Sequence, residues 1–240
     1  MKRLIEARRR ATDEGFTLIE LLVVMVVFGM LMAGVAATMT DTQRQVSNDG
    51  ARLDQSQQVE SAEEAMTRAV RTAILPRQLD GVCAACNTSA FIAGDVRSMT
   101  FYANLNNDGK VDGAGYTTDG PSKVYYAVDA SGNLTETVVR TTAHLPTDYN
   151  YSWCDPANAS CTKTKRTVAR GVSTTAVLFT FYDKGGNTLT TPLDNTVNGL
   201  SAVDSLDVSL KVKRSPRTPQ TTLVTRITLP NADAALLSAS

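Results

Sequence analysis

Apolar residues are spread unevenly along this chain. Phe16 to Met39 is an apolar run of about 24 residues, which as a helix would cover roughly 36 Å and could cross a bilayer. Leu21 to Ala37 carries no charge, and the polar exceptions near the start of the run are Thr17 and Glu20. Beyond the run the period changes. Residues 41–74 contain no proline, and Val59, Ala62, Met66, Ala69, Val70 and Ala73 recur at three- and four-residue steps, the pattern of a helix with one face on a core. Glu60, Glu63, Glu64, Arg68 and Arg71 fall mostly off that stripe, and Glu64 precedes Arg68 in the favourable order. Gly50 is a weak point. Pro76 disfavours helix at Leu75, so the pattern predicts a single helix of about 59 residues ending near Ile74.

From residue 97 the pattern is that of short strands. Met99–Ala103, Lys123–Val128, Leu134–Val139 and Ala176–Tyr182 are rich in β-branched and aromatic residues, and Asn, Asp and Gly separate them. Asp183-Lys-Gly-Gly-Asn187 is a hairpin signal. Leu206, Val208, Leu210 and Val212 alternate with Asp207, Ser209, Lys211 and Lys213, as expected of a half-buried antiparallel strand. Leu223, Thr225, Ile227 and Leu229 repeat the pattern after a loop holding Pro216 and Pro219. The expected class is α+β: a long N-terminal helix packed on a C-terminal antiparallel sheet domain.

Charge sets the orientation of the apolar run. Lys2, Arg3, Arg8, Arg9 and Arg10 precede it, and the first cation after it is Arg44. The positive-inside rule then puts the N-terminus in the cytoplasm and residues 41–240 outside. A secretory signal would explain the basic start and apolar centre, with Ala33–Ala37 as a small-residue cleavage site. The run is long for such a signal, however, and Glu20 stands where a signal would place no acid. A carboxylate in hydrocarbon costs at least about 2.5 kcal/mol and so points to a function and a partner. The whole chain balances 24 basic against 24 acidic residues, which gives no general electrostatic case for a polyanionic partner.

Gly15-Phe16-Thr17-Leu18-Ile19-Glu20, after a short basic leader and before the apolar run, resembles the N-terminus of type IV prepilins and pseudopilins. The resemblance implies cleavage by prepilin peptidase between Gly15 and Phe16 and N-methylation of Phe16. It also implies that Glu20 helps to neutralise the terminal amine of a neighbouring subunit during assembly. The partners implied are other pilin subunits, met through the N-terminal helix, the inner-membrane assembly platform and membrane lipid. The expected division is a leader at 1–15, a transmembrane assembly helix at 16–40, its amphipathic continuation at 41–75 and a sheet domain at 76–240. The expected place is the inner membrane, crossed once, and then an extracytoplasmic filament. Many major pilins carry a proline where this chain has Ala37, so melting of the helix there is not implied.

Val124-Tyr125-Tyr126, Gly132-Asn-Leu134, Gly171-Val172, Leu178-Phe-Thr-Phe-Tyr-Asp183 and Pro230-Asn231 resemble, more diffusely, large minor pilins of the PilW-like group and J-type minor pseudopilins of type II secretion. The function expected is that of a minor pilin-like subunit that joins or primes a helical filament. The alternatives are a J-type pseudopilin and a DNA-binding tip subunit of a competence pilus.

Cys83, Cys86, Cys154 and Cys161 lie on the expected outer side, where disulfides form. Four cysteines allow three pairings, and the local one, Cys83–Cys86 with Cys154–Cys161, is preferred because it needs no distant coincidence. A zinc site fits poorly, since the spacing from Cys154 to Cys161 is unlike that of zinc ribbons. Asn104, Asn106, Asp108 and Asp112 echo the first half of a calcium loop, but Gly115 takes the position of its last ligand, so an Asx-rich turn is the first reading and calcium the second. No other cofactor is expected. Lys211, Lys213, Arg214 and Arg217 form a basic group that could meet DNA phosphates. Lys163, Lys165, Arg166 and Arg170 form another beside Tyr149, Tyr151 and Trp153. His144 is alone and no nucleophile or phosphate-loop motif is visible, so no enzymatic activity is expected.

Overall fold

The computed structural model describes residues 16–75, 89–105, 110, 120–141, 151–196, 198–213 and 218–230. The chain divides into two compact units, Met1–Gly50 and Ala51–Ser240. Helix α1, Leu18–Arg71, begins in the first and ends in the second.

In the first unit α1 runs unbroken through Gly29 and Gly34, so without a proline the backbone ladder is not interrupted. Where the apolar run gives way to polar residues, hydroxyls turn back onto the helix. Thr38, Thr40 and Thr42 donate to the carbonyls of Val35, Ala37 and Thr38 at 2.8, 2.8 and 2.9 Å. Those hydroxyls are satisfied without water, which suits a helix leaving hydrocarbon.

The second unit holds the rest of α1 and two antiparallel sheets. The first sheet runs in sequence order: β1 Phe91–Asp95, β2 Ser98–Ala103, β3 Ser122–Val128, β4 Leu134–Val139 and β5 Lys163–Ala169. The second is β6 Phe179–Tyr182, β7 Ser205–Val212 and β8 Thr221–Thr228, preceded by a 3₁₀ turn at Leu200–Ala202. Every residue of the helix stripe from Val59 to Ala73 is buried, and it packs with Phe91, Phe101, Tyr126 and Phe181 into one core. Phe91 meets Phe101 at 5.6 Å and the edge of Phe181 at 5.7 Å between ring centroids, so it joins the two sheets. The sheets also meet through backbone: Leu178 and Phe179 N–H both donate to Val96 O, and Leu193 N–H donates to Gly94 O at 2.8 Å. Gly94 permits that approach, because a Cβ there would lie 2.7 Å from Leu193 Cδ1.

Three expectations change. The helix stops at Arg71 rather than Ile74, because residues 72–74 are drawn into the sheet: Ile74 N–H donates to Tyr102 O and Asn104 N–H to Thr72 O. Ala176–Leu178 is not strand, since Leu178 is used in the crossing just described. Strands β1 and β5 were not expected. The hairpin signal at 183–187 does form a tight turn, with Gly186 at φ +80° and Tyr182 bridged to Thr188.

A polar side chain ties helix to sheet within this unit. Gln55 is fully buried, and its Nε2 donates to Val212 O at 2.7 Å, Thr221 Oγ1 at 2.8 Å and Pro219 O at 3.2 Å. Its Oε1 accepts from Thr218 at 3.4 Å. Buried amides are tolerated when satisfied in this way.

Candidate processing and assembly segment

Thr17 stands before the first helical residue, and its side chain and that of Glu20 bond reciprocally. Thr17 N–H and Thr17 Oγ1–H donate to Glu20 Oε2 at 2.9 and 2.8 Å, and Glu20 N–H donates to Thr17 Oγ1 at 3.3 Å. This is a capping box, in which Thr and the Glu three residues on satisfy amides that the first helical turn leaves open. Thr-x-x-Glu before an apolar run is a sequence signature of it, and the charge of Glu20 alone did not reveal the part played by Thr17. Glu20 therefore has hydrogen-bond partners within its own chain. Only Oε2 is used among the described residues, and Oε1 stays open. Phe16, before the cap, is exposed. Gly15 lies outside the described residues.

Downstream, the helix is long and apolar enough to cross a membrane, and among the described residues none of its most apolar 18-residue window is buried. A core helix of a soluble protein would be covered. This one leaves Leu21, Val24, Phe28 and Leu31 bare.

The other predicted site residues fall in the second unit or outside the described residues. Cys154 and Cys161 form a disulfide with Cα atoms 5.4 Å apart, closing the loop that leads into β5. Cys83 and Cys86 lie outside the described residues, as do Asn106, Asp108, Asp112, Arg214 and Arg217. Asn104 is described. Its N–H is used by Thr72, and its Oδ1 is buried and accepts no hydrogen bond from a described residue. Lys211 is half-buried and Lys213 exposed, at the end of β7.

The basic-aromatic surface around β5 is not assembled as expected. Arg166 is held by Glu136, with Nε to Oε1 at 2.7 Å and Nη2 to Oε2 at 3.0 Å. Lys163 donates to the carbonyls of Pro156 and, at 3.3 Å, Asn158. Tyr151 is buried, and the half-buried Trp153 donates from Nε1 to Pro121 O at 2.8 Å. Lys123 lies over the Trp153 ring at 4.4 Å, and burial pulls its ammonium below the usual lysine range. These rings pack against their own domain rather than offering faces to bases.

Each sheet carries a Tyr–carboxylate–Arg set across three neighbouring strands. In the first, Tyr126 on β3 donates its hydroxyl to Glu136 on β4, which also holds Arg166 on β5. Burial first, and then the hydrogen bond to Glu136, raise the Tyr126 phenol far above its ordinary value. In the second, Asp207 on β7 accepts from Tyr182 on β6 at 2.9 Å and from Arg226 on β8 at 2.7 and 2.9 Å. The Arg226 hydrogen bonds are the main reason that the Asp207 carboxyl lies below the usual carboxylate range. Glu136 and Arg166 also line a cleft of about 350 Å³ opposite Glu64 and Arg68 of α1.

A family model described as "Prokaryotic N-terminal methylation motif" matches residues 10–36. No curated protein and no solved structure matches the chain. The matched segment contains Phe16, the Thr17–Glu20 cap and most of the bare apolar helix. It is the motif of type IV pilin-like substrates of prepilin peptidase, and it implies processing by that enzyme, assembly with other pilins and membrane anchoring.

Proposed function

We propose that this protein is a minor pilin-like subunit that enters the inner membrane with its N-terminus in the cytoplasm. Prepilin peptidase cuts it between Gly15 and Phe16 and methylates Phe16. It then joins or primes a helical filament. Residues 16–40 carry assembly, 41–75 continue the helix, and 76–240 form the outer domain. The observation that carries this reading is Glu20 itself. Its carboxylate is held by the cap through one oxygen, with the other open among the described residues, at the head of an apolar helix whose most apolar window no described residue buries. A neighbour's Phe16 amine is the complementary charge, and in hydrocarbon the attraction of such a pair is far stronger than in water. The disulfide Cys154–Cys161 supports an oxidising location for the outer domain.

The test is Glu20→Ala in the full chain, produced with the peptidase and filament machinery. N-terminal mass should show cleavage and methylation retained, while the sheared filament fraction loses the protein. Parental incorporation of Glu20→Ala would sink the reading. A J-type pseudopilin would need the same assembly step, and would differ in that its loss blocks export of secreted proteins and leaves pili intact.

A further inference from the structure

Between the β3–β4 turn, the connection leaving β5 and the end of β7 lies a shallow cleft of about 440 Å³. The backbone fixes its floor. Gly132 takes φ +74° beneath Val172, where a Cβ would lie 2.8 Å from Val172 O, and Val172 N–H donates to Gly132 O at 2.9 Å. Val172 bridges to Val212, while Ser173 N–H donates to Lys211 O and Lys213 N–H to Gly171 O, both at 2.9 Å. Turn and connection are thus both fastened to β7.

The rim of the cleft is made of donors. Ser131, Ser173 and Thr175 contribute hydroxyls, Gln220 an amide, and Lys211 and Lys213 ammonium groups that alternation along β7 puts on one face. Ser173 Oγ already accepts from Ala176 N–H at 3.1 Å and Thr175 N–H at 3.4 Å and shares a hydrogen bond with Thr175 Oγ1 at 3.4 Å, so the two hydroxyls are set by their own loop and together leave one proton for a ligand. None of the lining residues is acidic. Asp129, the acid of the adjoining turn, is committed to that turn, accepting from Ser131 N–H at 2.9 Å, Asn133 N–H at 2.8 Å and Asn133 Nδ2 at 2.9 Å. Arg44, Arg68, Arg166 and Arg226 each pair with a carboxylate, whereas Lys211 and Lys213 pair with none among the described residues.

A site with two cations, several hydroxyls and no acid suits a compact ligand that only accepts hydrogen bonds. We propose that this cleft binds a phosphate group, either as the free ion or as the diester of a polymer. The inference is independent of the assembly reading, because it concerns one subunit.

Calorimetric titration of the full chain in detergent micelles, at low salt, tests it with inorganic phosphate and with a short oligothymidylate as a phosphodiester probe. Saturable binding of either supports the site. The free ion alone, or the diester alone, identifies the source of the phosphate. Lys211→Gln with Lys213→Gln should weaken binding at least about tenfold, and Lys211→Arg with Lys213→Arg should retain it. Ser173→Ala with Thr175→Ala should weaken it several-fold without changing net charge. Lys184→Gln, on the remote 183–187 turn, should leave it unaltered. Absence of saturable binding of both probes overturns the proposal. So does an equal loss in Lys184→Gln, which would mean diffuse charge rather than a site.

Discussion

The two sheets hold the same three chemical groups in different surroundings. Both sets span three strands, and both use a bidentate arginine directly opposite the acid: Glu136 faces Arg166 and Asp207 faces Arg226. In the first sheet Tyr126 is also directly opposite the acid, is fully buried, and meets a carboxylate whose side chain is 9% exposed. In the second Tyr182 reaches Asp207 diagonally, Arg226 lies over its ring at 4.3 Å, and the Asp207 side chain is 19% exposed. The phenols record the difference. Burial is the main cause of the raised Tyr126 value, and the hydrogen bond to Asp207 is the main cause for Tyr182. One set is a polar pin facing the helix, and the other a clasp on the outer face. The same bonds should therefore differ in worth, because an acid deprived of its cation is costly only where water cannot replace it.

The largest effect should come from Arg166→Met, which strands Glu136 under the helix and should cost about 2–3 kcal/mol in denaturant unfolding of the full chain in micelles. An effect no larger than that of Arg226→Met would break the comparison. Next, Cys154→Ser with Cys161→Ser opens the loop that delivers β5 to β4. The chain-entropy relation gives about 2.5 kcal/mol for a loop of this length. Hydrogen exchange should then quicken at Arg166 and stay unaltered at Arg226. A smaller effect concerns acid. The Asp207 carboxyl is held below the ordinary range, so its contribution is complete above about pH 5, where the unfolded carboxyl is ionised, and fades as pH falls further. Asp207→Asn should flatten that part of the acid limb in pH-dependent melts. The smallest effect is Arg226→Met, since exposed pairs contribute little and salt screens them. Its melting shift should fall well below that of Arg166→Met and shrink as salt rises.

Much of this architecture was readable from periodicity. The helix stripe from Val59 to Ala73 and the alternation in β7 each have one buried face, so the pattern of side chains reports the element. β5 escaped because Lys163–Arg166 has no such face. It is an edge strand, and its charges looked like a basic cluster. β1 is only five residues long and contains Gly94, a weak strand signal that the close approach of Leu193 explains. Gln55 sits in a polar stretch of helix, and nothing local separates it from its exposed neighbours. Its partners are more than 150 residues away. The two polar sets depend on register between strands, which side-chain pattern alone does not fix. At the N-terminus Glu20 was legible as an anomaly, and Thr17 could have been read with it from the Thr-x-x-Glu spacing.

That cap has a consequence for timing. Its donors are the Thr17 hydroxyl and the amides of Thr17 and Glu20, and none of them belongs to Gly15 or to the bond that precedes Phe16. Severing that bond would create a new cation at Phe16 and leave the first turn of α1 as it was. The joint is indifferent to the cut, so a newly trimmed subunit need not refold its leading end before it docks.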